Sequence, residues 1–196
     1  ALVTANKAIQ VFTGGSVLGL VDVGDSVAVS GDVDEYYNMT QIDTHFTTSF
    51  TNYGSGFGQP LAFELDTTAL PTALPASEPF ESVLVQFTDA VVTNSSADIY
   101  GGYFIDNTDP KNSEEAKIDD DAAIGSLGGL TYEPTLNDNV TIRGIVEYAF
   151  SEYKVQPRND GDIMPADPTD VNVGGAARVA FALHQSVPNP LTGGAT

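Results

Sequence analysis

Apolar and polar residues alternate in short runs along most of the chain, and clusters of Gly, Asn, Asp and Pro separate the runs. A period of two sends successive side chains to opposite faces of a strand, so the pattern predicts an all-β protein. The runs are Ala8 to Phe12, Ser26 to Val33, Ser82 to Thr93, Gly102 to Ile105, Asn139 to Phe150 and Ala176 to Leu183. Helical periodicity is weak; Ser113 to Ile124 predicts one or two turns of helix, interrupted by the aspartates at 119–121. Asn52 to Pro60, Leu70 to Pro79 and Pro157 to Val173, rich in Gly, Pro, Asp or Asn, predict loops. These breaks divide the chain into a first unit (1–70), a Pro-rich linker (71–77), a second unit (78–164) and a tail (165–196).

The two units share a motif. Val23 to Tyr37 aligns without gaps on Leu136 to Phe150, both reading as a small polar turn with Asp, a strand of alternating aliphatics, and a mid-strand glycine, Gly31 or Gly144. Glycine weakens a strand unless the strand bends sharply or another backbone comes close. Coiled strands of small barrels need such a bend. A further strand follows each copy, at Met39 to Asp43 and at Tyr153 to Pro157.

Composition narrows the chemistry. With 27 acidic against 7 basic residues the formal charge is −20, a field that repels phosphate backbones and anionic membrane surfaces. Nucleic acid is therefore a disfavoured partner, and no apolar run is long enough to span a bilayer as a helix. There is no cysteine, and the two histidines, His45 and His184, belong to no catalytic motif, so the residues assemble no enzyme site. Oxygen-rich loops suit calcium, a hard cation. The candidate ligands are Asp106 and Asp109, Asp119, Asp120 and Asp121, and Asp160 and Asp162. Exposed aromatics on a barrel offer stacking platforms, and Tyr36, Tyr37, Tyr148 and Tyr153 are candidates for contact with a glycan or a protein.

Two stretches resemble known families. Ile9-Gln10-Val11-Phe12-Thr13-Gly14, Val23 to Tyr36, Thr40-Gln41-Ile42, Glu78 to Val85 and Gln156 to Ile163 are together similar to the OB-fold accessory region of secreted bacterial exoproteins of the extracellular nuclease type. That resemblance, over residues 5–164, implies two OB-like barrels in tandem and an accessory rather than catalytic role. Phe181 to Leu191, reading Phe-Ala-Leu-His-Gln-Ser-Val-Pro-Asn-Pro-Leu, resembles the start of the C-terminal sorting domain of type IX secretion cargo. It implies an extracellular or cell-surface protein.

An OB barrel uses five strands and opens on a long one. The second unit has that strand from Ser82, whereas only Ala1 to Leu20 precede the motif of the first, too few for an additional long strand. An open barrel exposes unpaired edges. The tail run presents Ala177, Val179, Phe181 and Leu183 on one face, and predicts a strand able to close the first barrel of its own chain or of the next molecule. The expectation is thus an extracellular structural or interaction protein that polymerises with itself by strand donation. Its alternative is a non-catalytic module binding glycan or nucleic acid beside a secreted enzyme.

Overall fold

The computed structural model describes residues 8–14, 21–44, 49–73, 75–99, 101–108, 114–119 and 130–165. Twelve strands run through them: β1 (Gln10–Phe12), β2 (Val27–Ser30), β3 (Asp32–Tyr36), β4 (Met39–Asp43), β5 (Ser49–Asn52), β6 (Phe63–Glu64), β7 (Leu84–Asn94), β8 (Tyr103–Asp106), β9 (Ala116–Ile118), β10 (Asn139–Ala149), β11 (Glu152–Gln156) and β12 (Ile163–Pro165). The protein is all-β, with short 3-10 turns as its only helical structure among the described residues.

Residues 84–156 close into a five-stranded barrel. Strands β7, β8 and β9 are successive antiparallel neighbours, and β10 returns to lie antiparallel beside β7, which is the Greek-key arrangement. From β10 a hairpin leads into β11, which closes the barrel by running parallel to β9. Outside this ring β6 runs parallel to the start of β7, and β12 pairs with the first half of β10.

Alternation decides what faces inward. On β10 the residues Val140, Ile142, Val146 and Tyr148 are buried, and Gly144 continues the series. On β7 the rhythm slips: Val85 and Phe87 are buried, then Ala90 and Val92. The slip is a β-bulge, because pairing steps from Ile142 opposite Phe87 to Val140 opposite Ala90, and Asp89 takes a left-handed φ of 53°. Bulges of this kind add twist and curvature, which a small closed barrel requires.

The repeat is real in three dimensions. Asp25 and Asp138 each accept a hydrogen bond from the backbone N–H three residues upstream, of Asp22 and Thr135, at 2.9 Å. In the hairpins, Asp32 faces Asp43 and Tyr36 faces Met39, just as Ile145 faces Gln156 and Ala149 faces Glu152. Both turns use two left-handed residues, Tyr37 and Asn38 in one, Phe150 and Ser151 in the other. Strand β5 meets Val27 to Val29 in the register with which β12 meets Val140 to Ile142, and β1 runs parallel to β4 as β9 does to β11.

The mid-strand glycines mark where one strand changes partners. A Cβ at Gly144 would sit 2.5 Å from Val155 Cγ1 and 2.7 Å from the Gln156 carbonyl; at Gly31 it would sit 2.7 Å from Ile42 Cγ2 and collide with the Asp43 carbonyl. Both glycines therefore serve the close approach of a neighbouring backbone. In the first copy the motif strand is also divided there, into β2 and β3, which belong to separate sheets.

Three expectations need correction. The helical turns expected within Ser113 to Ile124 give way to β9, because the barrel needs a third strand and tertiary pairing overrides a weak local preference. Ala116 and Ile118 enter the core, and Lys117 bonds Asp98 at 2.8 Å and Glu152 at 2.6 Å. The loop expected from Pro157 to Val173 contains β12, held by burial of Ile163. The linker expected at 71–77 is anchored to the barrel: the Tyr153 N–H donates to the Thr72 carbonyl, and Ser77 at its end and Leu70 just before it are buried.

Because no rotamer of any larger residue avoids these contacts, Gly144→Ala is expected to lower unfolding stability by about 1–3 kcal/mol. Urea denaturation followed by tyrosine fluorescence measures this, and an unchanged midpoint would contradict the close approach.

Candidate assembly edge

The two copies of the motif differ in one respect that bears on function. Strand β10 is flanked on both sides, by β7 on one and by β11 and β12 on the other. The corresponding strand pair β2–β3 is flanked by β5 and β4 on one side only; on its other side no strand pairs with it among the described residues. Strands β1 to β5 thus match β9 to β12, and nothing described in the first unit matches β7 or β8.

Burial follows from the missing neighbours. Val140 and Val146 are each 1% exposed inside the closed barrel, whereas their counterparts Val27 and Val33 are 44% and 73% exposed. Ile9 and Phe12 of the β1 segment and Tyr36 at the end of β3 are exposed as well. Among the described residues, no strand pairs with the outer side of β2–β3, and the apolar surface beside it is uncovered. Such an edge is a template for another strand. Acids line it: Asp32 and Asp34 are exposed on its outward face, and Glu35 is exposed on the face of Val33.

The open unit is joined to the barrel at β4. There the Thr40 N–H donates to Glu81 Oε1 at 2.7 Å, and Met39 and Gln41 are buried. Burial holds the Glu81 carboxyl above its ordinary value of 4.5, outweighing the hydrogen bond from Thr40, and the nearby charges of Glu78 and Glu35 push it the same way. The sequence contained no signal for this contact, since Glu81 belongs to the polar stretch before β7 and Thr40 to a hairpin 41 residues away.

Of the expected calcium ligands, the four described ones are each engaged by protein donors. Asp106 accepts from the Thr108 N–H at 2.7 Å and the Thr108 hydroxyl at 2.6 Å. Asp119 forms a buried ion pair with Lys154. Asp160 accepts from the Thr131 hydroxyl at 2.6 Å and the Thr131 N–H at 2.8 Å, bonds that lower its pKa. Asp162 is buried, which raises its pKa, but two bonds from the Arg158 guanidinium, at 2.7 and 2.8 Å, and one from the Arg158 N–H more than reverse this. Among the described residues no group of three or more His or acidic side chains converges to hold a metal ion. Asp109, Asp120 and Asp121 lie outside the described residues.

The aromatic candidates divide. Tyr148 and Tyr153 are not surface platforms: they face the barrel interior with ring centroids 4.8 Å apart, and the Tyr153 hydroxyl donates to Glu78. The cause is strand phase, since Tyr148 falls on the face of Val146 and Tyr153 on that of Val155. Tyr36 and Tyr37 are exposed at the tip of the β3–β4 hairpin, edge to face at 4.7 Å. The tail residues Ala177, Val179, Phe181 and Leu183 lie outside the described residues. No described helix is long and apolar enough to cross a membrane.

Since folding raises the affinity of Glu81 for its proton, the contribution of this group to stability is greatest in acid and declines as pH rises from about 4.5 through the folded-state pKa. Glu81→Gln keeps an acceptor for Thr40 and removes the titration. Its unfolding free energy is expected to fall less steeply than that of the parent protein between pH 4.5 and neutrality, as urea titrations at several pH values would measure; parallel profiles would contradict the assignment. Compared with protein-family models, curated proteins and solved structures, the chain matches none of them, so what the open edge can do follows from its own geometry.

Proposed function

We propose that the protein is an extracellular structural subunit that assembles with copies of itself into filaments by β-strand donation. The observation that carries this reading is the β2–β3 edge, unpaired among the described residues beside exposed Val27 and Val33, in a motif whose second copy has the same edge covered by β7. The donor is the alternating tail run with Ala177, Val179, Phe181 and Leu183 on one face. A strand passed from one subunit to the next is a head-to-tail contact, and such contacts build open filaments when their rotation does not close a ring. The resemblance of Phe181 to Leu191 to a sorting motif supports the extracellular location, and the absence of a catalytic constellation in the sequence supports a non-enzymatic role.

A charge of −20 per subunit opposes close assembly, so cations that screen it favour the polymer. Calcium fits this reading as a counter-ion of acidic surfaces. A second reading, a glycan-contacting accessory module, is favoured by the exposed Tyr36–Tyr37 pair alone.

Negative-stain microscopy and sedimentation of the purified chain, beside a chain lacking residues 174–196, test the proposal. The full chain is expected to form filaments and the shortened one to remain dispersed. Equal assembly states would overturn it.

A further inference from the structure

Resting on the strand-donation reading, we infer the register of the donated strand: residues 176–185 run antiparallel to β2–β3 with Phe181 opposite Val29, Val179 opposite Gly31, and Arg178 opposite Asp32.

The closed barrel is the template. On β10, Ile142 faces Phe87, Gly144 faces Val85 and Ile145 faces Leu84. The same positions in the first copy are Val29, Gly31 and Asp32, by the alignment that the hairpin and β5 registers uphold. What covers the first copy must therefore resemble the start of β7, where the inward residues read Val83, Val85, Phe87. The tail reads Ala177, Val179, Phe181 at the same spacing. Setting Phe181 in the place of Phe87 puts Val179 against Gly31, as Val85 lies against Gly144, and Ala177 near exposed Val33. Beyond Phe181 the tail keeps its alternation, so Leu183 meets Val27 with no bulge.

The outward face agrees. In this register Arg178, one of only 7 basic residues in the chain, stands directly across from the exposed Asp32 with Asp34 diagonal to it. The small pair Ser30 and Ala180 takes the place of Arg143 and Gln86, which are bonded across β10 and β7 in the closed barrel. A slip of one residue would turn the apolar face of the tail to solvent. A slip of two would set Phe181, rather than Val179, against the glycine, or move Arg178 across from Ser30.

Absence of cysteine makes the register directly readable. Chains carrying Ser30→Cys and chains carrying Ala180→Cys are mixed, allowed to assemble and oxidised; directly opposite residues of antiparallel strands come within disulfide reach. Disulfide-linked pairs of the two chains are expected, and Ala182→Cys or Arg178→Cys in place of Ala180→Cys is expected to link several-fold less. In parallel, Asp32→Arg or Arg178→Asp alone should raise the concentration needed for assembly roughly fivefold, and a chain carrying both should restore it. Preferential linkage at either shifted position overturns the register while leaving strand donation standing. Filaments without linkage to any tail position overturn the tail as the occupant. Linkage confined within single chains carrying both Ser30→Cys and Ala180→Cys, with no filaments, keeps the register but overturns donation between subunits.

Discussion

One close approach organises this protein: the passage of a backbone over a mid-strand glycine. At Gly144 the carbonyl of Gln156 and the side chain of Val155 occupy the space that a Cβ would need. That proximity lets a single strand leave β7 in its first half and take up β11 in its second, which is how an eleven-residue strand can serve two walls of a narrow barrel. Gly31 repeats the arrangement against Ile42 and Asp43. Where β7 covers the other side of the motif strand, the apolar residues flanking the glycine are buried; at β2–β3, where no described strand does so, Val27 and Val33 are exposed.

Two sets of polar contacts brace the frame. Inside the barrel wall, Lys117 bridges Asp98 and Glu152, and Lys154 pairs with Asp119 in a buried position. Breaking a buried pair by removing one partner costs about 3–5 kcal/mol, because the remaining charge stays out of water. These lysines are thus committed to structure rather than to binding an anion. The described carboxylates that look metal-like in sequence are likewise tied to donors, with Asp160 closing on Thr131 and Asp162 clamping Arg158. Three exposed acids, Asp32, Asp34 and Glu35, lie along the β2–β3 edge of the open unit.

Such an edge carries conflicting physical demands. Unpaired backbone groups beside exposed valines favour addition of a strand, while the surrounding acids repel a second subunit as a whole. In the proposed donation, Arg178, the basic residue of the tail run, brings a cation to the acids of this edge. Charge in this chain acts against indiscriminate edge pairing and leaves complementary pairing open.

Alternation, the turn residues and the two glycines determined from sequence alone that the chain is all-β and that it repeats. These features are local, set by the two-residue period of a strand and by the steric demand at one position. Tertiary structure alone decided the rest. It made a strand of Ala116–Ile118, because β8 and β11 needed a neighbour between them, and drew Ile163 into a strand outside the ring. It also turned Tyr148 and Tyr153 inward and joined Thr40 to Glu81 across 41 residues of chain. Such choices depend on which distant backbone lies alongside, and no period within a single segment encodes that.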